Sequence, residues 1–320
     1  MTYVILHALA PIFVIMLLGF FAGKAKMVDN NNVALLNIFV MDFALPAALF
    51  SATVQTPWAG ILQQMPLIVV LVLAMWLIYA AIYFLCTRVF HKSPQDAAVL
   101  TLTVALPNYA ALGLPILGSV LGDSPSTSLS VAVSIACGSV LLTPFCLLIL
   151  EREKNRAATG GNGGSSLSML PVLMWRSVKK PIVVGPLLGV ILSAIGISMP
   201  EMLLAAIKPL GLAATAAALF LTGLILSARQ LKINRTVIVA TATKLIIQPL
   251  IAWALVVMFG LHGSVAVTAI LMIALSAGFF GVVFGNRFGV QSPDAEAALL
   301  ISSVLCIVTL PLFIALTAGM

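Results

Sequence analysis

The sequence predicts an all-α transmembrane protein of ten helices, built as two inverted five-helix repeats. Three observations lead there: composition, the spacing of apolar stretches and the placement of basic residues. Of 320 residues, 62% are hydrophobic and 8% are charged. A soluble domain carries roughly 25% charged residues, because its surface must face water. A chain this poor in charge must turn most of its outside toward lipid. A net charge of +7 would point to nucleic acid in a soluble protein. Topology accounts for it here, and no nucleic-acid partner is expected.

A bilayer-crossing helix needs roughly 20 mostly apolar residues. Segment 1 covers 4–23, with no basic residue before it and Lys24 and Lys26 after it. It has no clean small-residue cleavage site, so it reads as an inserted helix with its N-terminus outside. Segments 2 to 5 cover 33–52, 66–88, 97–120 and 129–150. A polar stretch separates them from segments 6 to 10, at 182–198, 209–228, 235–258, 264–286 and 295–318.

The positive-inside rule tests this count. With the N-terminus outside, the inner loops hold Lys24, Lys26, Arg88, Lys92, Arg152, Lys154, Arg156, Arg176, Lys179, Lys180, Arg229, Lys232, Arg235 and Arg287. That is 14 of the 16 Lys and Arg; Lys208 lies outside and Lys244 within a helix. One missed span would swap the sides of every later loop, so the asymmetry supports ten spans with both termini outside.

Three parts follow: a first repeat at 1–150, an inner linker loop at 151–181 and a second repeat at 182–320. The linker centre at 159–166 is rich in Gly and Ser and reads as flexible. Trp175, Arg176, Lys179 and Lys180 read as interfacial anchors; a lipid-sensing role is the alternative. A repeat with an odd number of helices must insert its second copy upside down, as in many secondary transporters. Pro11 is echoed by Pro186, Ala105-Leu106 by Ala274-Leu275 and Pro144 by Pro311, in the same order.

Two ionisable residues fall well inside a span, Asp42 in segment 2 and Lys244 in segment 8. Each lies about ten residues from its inner end, hence near mid-depth. A charge there is costly unless paired, neutralised or wetted. Either the two form a structural pair, or they face a cavity where Lys244 supplies charge for an anion and Asp42 binds a coupling proton. Thr241, Lys244 and Gln248 share one helical face, which should point away from lipid. Asn37 is a further candidate, as a ligand group or as interhelical glue.

Segment 4 contains Ala105-Leu-Pro-Asn-Tyr-Ala-Ala-Leu-Gly-Leu-Pro115. Proline removes a backbone donor and clashes with the carbonyl four residues earlier. Pro107 and Pro115 therefore loosen the carbonyls of Thr103 and Ala111, with Gly113 between them. In a membrane such a break is tolerated only inside protein or beside a cavity. Asn108 sits where a side chain could bind substrate and cap the restarting helix. Segment 9 lacks proline, but residues 276–281, with Ser276 and Gly278, form a matching candidate break. Two breaks crossing at mid-depth would aim helix N-termini at one point, a placement that favours anions; ordinary kinks are the alternative. The row Ser130, Ser134, Gly138 reads as a close-packing surface.

Cys86, Cys137, Cys146 and Cys306 read as small apolar residues without CxxC spacing. His7, His91 and His262 are scattered, so no metal site and no cofactor are expected. No nucleophile–base, phosphate-loop or dinucleotide motif stands in a suitable context, so the chain does not read as an enzyme.

These residues resemble the auxin efflux carrier family, in its bacterial branch with malonate-transporter-like proteins. The likeness covers most of the chain: Ala10-Pro11 and Gly19 in segment 1, Pro46 in segment 2, the segment 4 run and the polar central loop. Asn108, Gly113 and Pro115 match the family pattern, while Ala110 stands where the family has glycine. Residues 276–278 stand where the family usually has a proline. The resemblance implies that helices 4 and 9 cross at the site, with a scaffold of helices 1, 2, 6 and 7, often dimeric, and a mobile bundle of the other six. It places Asp42 in the scaffold and Lys244 in the moving part, and it implies a bacterial inner-membrane location and organic anions, including carboxylates and auxin, as substrates. The expected function is a secondary active transporter for a small mono- or dicarboxylate, working by alternating access with a coupling proton or sodium ion. A membrane-embedded anion sensor without transport is the rival, disfavoured by the lack of any sizeable soluble domain.

Overall fold

Where no water reaches the backbone, each amide must bond within the chain, and the helix does this within one segment. The computed structural model describes residues 2–30, 32–55, 63–158, 171–172, 175, 178–197, 199–228 and 233–320. The linker centre at 159–166 and the expected inner residues Arg176, Arg229 and Lys232 lie outside the described residues.

Among the described residues the regular secondary structure is helical. Helix α1 is Thr2–Lys24. Helix α2 runs over Ala34–Ile38, a π-helical stretch Phe39–Ala44 and Leu45–Val54. Helix α3 is Met65–Phe84 with a π-helical end Leu85–Val89. Helix α4 is Pro94–Ala105, and α5 is a π-helical Tyr109–Gly113 continued by Leu114–Leu121. Helix α6 joins Pro125–Ala136, a π-helical Cys137–Leu142 and Thr143–Ala158. Helix α7 is Pro181–Ala194 and α8 is Glu201–Ser227. Helix α9 joins Arg235–Ala242, a π-helical Thr243–Ile247 and Gln248–Met258. Helices α10, α11 and α12 are Gly263–Ala274, Phe280–Arg287 and Pro293–Thr317.

Among the described residues, six helices are long and apolar enough to cross a membrane, those carrying Ala34–Ser51, Met65–Val89, Pro125–Lys154, Glu201–Ser227, Arg235–Met258 and Pro293–Thr317. Shorter apolar helices are Phe13–Lys24, Tyr109–Leu121, Pro181–Ala194 and Gly263–Ala274. The segments at 97–120 and 264–286, expected to be broken, are each a pair of short helices, α4 with α5 and α10 with α11. Pro107 explains the first interruption. Leu106 before it takes extended dihedrals (φ −95°, ψ 109°), as the residue preceding a proline tends to do.

Proline also shapes the uninterrupted helices. Four of the five described π-helical stretches end two residues before a proline: Pro46, Pro115, Pro144 and Pro249. The ring clashes with the carbonyl four residues back, and one extra residue in the turn relieves that clash without breaking the helix. The fifth stretch, at the end of α3, has no proline after it.

Two groups of helices result. In the first, α1 packs along α8, and α2 packs on both α7 and α8. Glycines allow the backbones to meet: a Cβ at Gly223 would collide with the Met16 carbonyl, and one at Gly185 would lie 2.8 Å from the Pro46 carbonyl oxygen. In the second group, α4 is enclosed by α3, α6, α11 and α12, and α10 by α3, α9 and α12. Residues Ala97 to Ala105 and Ala266 to Ala274 are buried on every face.

Three helix starts in the second group are fastened together by polar side chains. Ser93, Asn234 and Ser292 cap α4, α9 and α12 through the amides of Asp96, Val237 and Ala295. Lys92 Nζ lies 2.5 Å from Asp294 Oδ2 and 3.6 Å from Asp96 Oδ2. Asn234 Nδ2 donates to Asp294 Oδ1 at 2.6 Å, and the Ser292 hydroxyl donates to Asp96. Partial burial works to lower the Lys92 ammonium, but the hydrogen bond and charge of Asp294, with Asp96 adding, raise it above its ordinary value.

Candidate functional site

An interrupted helix leaves carbonyls at the end of its first half and amides at the start of its second. In this fold the two interruptions satisfy one another. The Asn108 backbone amide donates to the Ser276 carbonyl at 3.0 Å, and the Gly278 amide reaches the Leu106 and Thr103 carbonyls at 2.8 and 3.0 Å. Pro107 and Ala277 form an antiparallel bridge between the two strand-like crossings. The Thr103 carbonyl released by Pro107 is thus taken up by Gly278. Gly278 has to be glycine, because a Cβ there would collide with the Leu106 carbonyl. No proline is needed in the second break: Leu275 is extended (φ −58°, ψ 157°), and the Ala277 amide is held by Ser302 Oγ at 3.1 Å.

Lys244 and Gln248 reach this crossing from α9. Lys244 is 0% exposed; its Nζ donates to Gln248 Oε1 at 2.7 Å and to the Ile273 carbonyl at 3.0 Å. Gln248 Nε2 donates to the Ala105 carbonyl at 2.8 Å. The π-helical turn at Thr243–Ile247 contains Lys244 and ends just before Gln248, and it sets the relative direction of the two side chains.

Asn108 stands at the start of α5, 2% exposed, with both amide atoms free of any hydrogen bond. Ser276 Oγ and Thr241 Oγ1 are likewise buried without partners. Such groups cost roughly 1–3 kcal/mol each when left unpaired, so they mark a place where a ligand or water would be welcome. Gly113 and Pro115 lie on α5 beyond Asn108, and a Cβ at Gly113 would press on Val131 at 2.9 Å.

Of the sequence candidates, Asn108, Pro107, Ser276, Gly278, Lys244 and Gln248 come together at the crossing. Thr241 lies one turn below Lys244 on α9. Asp42 is not part of this cluster. It sits on an exposed face of α2, in the stretch that packs on α7 and α8, while Lys244 is bonded elsewhere. Depth along a helix is readable from sequence, but its rotation is not, and the π-helical turn at Phe39–Ala44 alters that rotation. Asn37 is half-buried on the same helix, its Oδ1 unpartnered. Sequence reasoning missed Ser302, which holds the second break, and the Lys92, Asp96 and Asp294 cluster. The signals were present: Ser302-Ser303 interrupts an apolar run, and Ser93-Pro94 and Ser292-Pro293 are cap-then-proline pairs.

Residues 4–314 match the family model described as "Membrane transport protein". The chain is 29% identical over 306 residues to "Uncharacterized transporter YfdV" of Escherichia coli (strain K12), covering 96% of this chain and 95% of the relative. It is 23% identical over 303 residues to the "Putative malonate transporter" of Rhizobium meliloti (strain 1021), covering 93% and 91%. With nearly its whole length matched, the chain belongs to the membrane transport protein family, the auxin efflux carrier family that its sequence resembles.

Proposed function

We propose that the protein is a secondary transporter for a small organic anion, a mono- or dicarboxylate, with its site at the crossing of the two interrupted helices. One observation carries the reading: the Asn108 side-chain amide is buried at the start of α5 with neither its Nδ2 nor its Oδ1 bonded. A carboxylate would accept from Nδ2, and the free hydroxyl of Ser276 lies on the opposing break. The N-terminal ends of α5 and α11 begin here and favour negative charge, and the buried Lys244 amine donates into the same crossing. The relative named as a putative malonate transporter is consistent with a small carboxylate.

The reading includes ten membrane spans as two inverted repeats, both termini outside, in an inner membrane. The group α1, α2, α7 and α8 is the fixed scaffold, through which two copies pair, and the remaining helices move against it. A proton or sodium ion drives transport; Asp42, an ionisable group in mid-span, is the proton candidate.

Counterflow in proteoliposomes tests the reading. Radiolabelled carboxylates should exchange across the membrane, and Asn108→Ala should lower the rate about tenfold or more, the effect of losing one charge-assisted hydrogen bond. A protein that is thermally stabilised by a carboxylate but never exchanges it would be a sensor and not a carrier.

A further inference from the structure

We propose that Lys244 and Gln248 are positioning residues that tie the two interrupted helices together, and that Lys244 does not touch the transported anion. The proposal rests on the site reading above and assigns a different role to its most obvious charge. The bonds run in one chain: the Ala105 carbonyl accepts from Gln248 Nε2, Gln248 Oε1 accepts from Lys244 Nζ, and Lys244 Nζ donates to the Ile273 carbonyl. Ala105 is the last residue of α4, and Ile273 is next to last in α10. Each is a carbonyl that its own helix cannot satisfy, because the helix stops.

Charge explains why a lysine stands here. A helix C-terminus carries roughly half a negative charge, and two of them converge at α9. Together they present about one negative charge to a group that water does not reach. Lys244 Nζ turns its donors toward this negative end, which is how a fully buried lysine is tolerated without a carboxylate partner. Its field is then largely spent on the carbonyl side. The anion is left to the opposite side of the crossing, where α5 and α11 begin and where Asn108 is unpartnered. Gln248 is required because it both accepts and donates, so it can link an ammonium to a carbonyl. Neither methionine nor glutamate can do both.

Hydrogen exchange read by mass spectrometry on the purified, ligand-free protein tests the tie directly. Lys244→Met frees the Ile273 carbonyl and leaves Gln248 on Ala105, so exchange should rise roughly tenfold or more in residues 273–282. Residues 103–112 should change less. Gln248→Glu keeps an acceptor for Lys244 and loses the donor to Ala105, so the larger rise should move to residues 103–112. Exchange in α1 and α8 should stay as in the wild type for both variants. Unchanged exchange in both segments, or a rise shared equally by all helices, would overturn the tie.

A second arm uses propionate and its neutral amide, propionamide, as probes of thermal stabilisation. With the tie, Lys244→Met weakens both probes by a similar factor, because it loosens the site. Loss of propionate binding alone would instead make Lys244 the anion's counter-charge and overturn the proposal. If propionate and other carboxylates fail to stabilise even the wild type, the anion reading falls, while the exchange pattern still decides the tie.

Discussion

Asn108 and Gly278 face each other across the crossing and illustrate opposite kinds of constraint. The Asn108 side-chain amide is kept in a buried place without partners, a cost borne by the empty protein. Asn108→Ala should therefore leave the ligand-free melting temperature unchanged or raise stability by up to about 1 kcal/mol, even as transport falls. A matching loss of stability in a melting experiment would show that Asn108 holds the fold. Gly278 is the reverse case. Its Cα lies so close to the Leu106 carbonyl that any side chain must push the two breaks apart. Gly278→Ala should cost about 1–3 kcal/mol, the usual range for overpacking, visible as a lower melting temperature with or without ligand.

At the scale of the helix, proline acts here in two ways. Pro107 stops α4, because its ring and missing donor coincide with extended backbone at Leu106. Pro46, Pro115, Pro144 and Pro249 are absorbed as π-helical turns and the helices continue. Pro249 matters most, since its turn contains Lys244 and ends just before Gln248. Pro249→Ala removes the reason for the extra residue, and the turn should relax toward regular α geometry. Helix propensity favours that change by up to about 3 kcal/mol. The expected outcome is an equal or higher melting temperature together with a loss of counterflow, because Lys244 and Gln248 no longer point at the two carbonyls. Full activity in Pro249→Ala would show that the turn is incidental.

Across the whole molecule, the cluster of Lys92, Asp96, Asp294, Ser292 and Asn234 joins the starts of α4, α9 and α12 into one unit. The folded Lys92 titrates above its ordinary value. Lys92 therefore adds stability that is fully present below about pH 10.4, the unfolded value, and is lost as pH rises through the folded value. The melting temperature of Lys92→Gln should lie below wild type at neutral pH, and the gap should close in strongly alkaline solution. A gap that is independent of pH would assign the effect to packing of the lysine stem instead of its charge.

The all-helical membrane class was legible from composition, because a chain with 8% charged residues has no means of covering a water-facing surface. The break at Pro107 and the place of Asn108 at the start of the next helix were legible too, since proline's effect on the backbone is local. Residue types also made Lys244 conspicuous, through the cost of burying a charge in a span. What Lys244 bonds to was decided only by the tertiary structure, as was the exposed position of Asp42. Both depend on how far each helix is rotated, and a single π-helical turn changes that rotation without leaving a mark in the hydropathy. The second break is a tertiary outcome as well. Without a proline, residues 275–279 leave the helix because Asn108, Thr103, Leu106 and Ser302 supply from other segments the hydrogen bonds that the helix would have made.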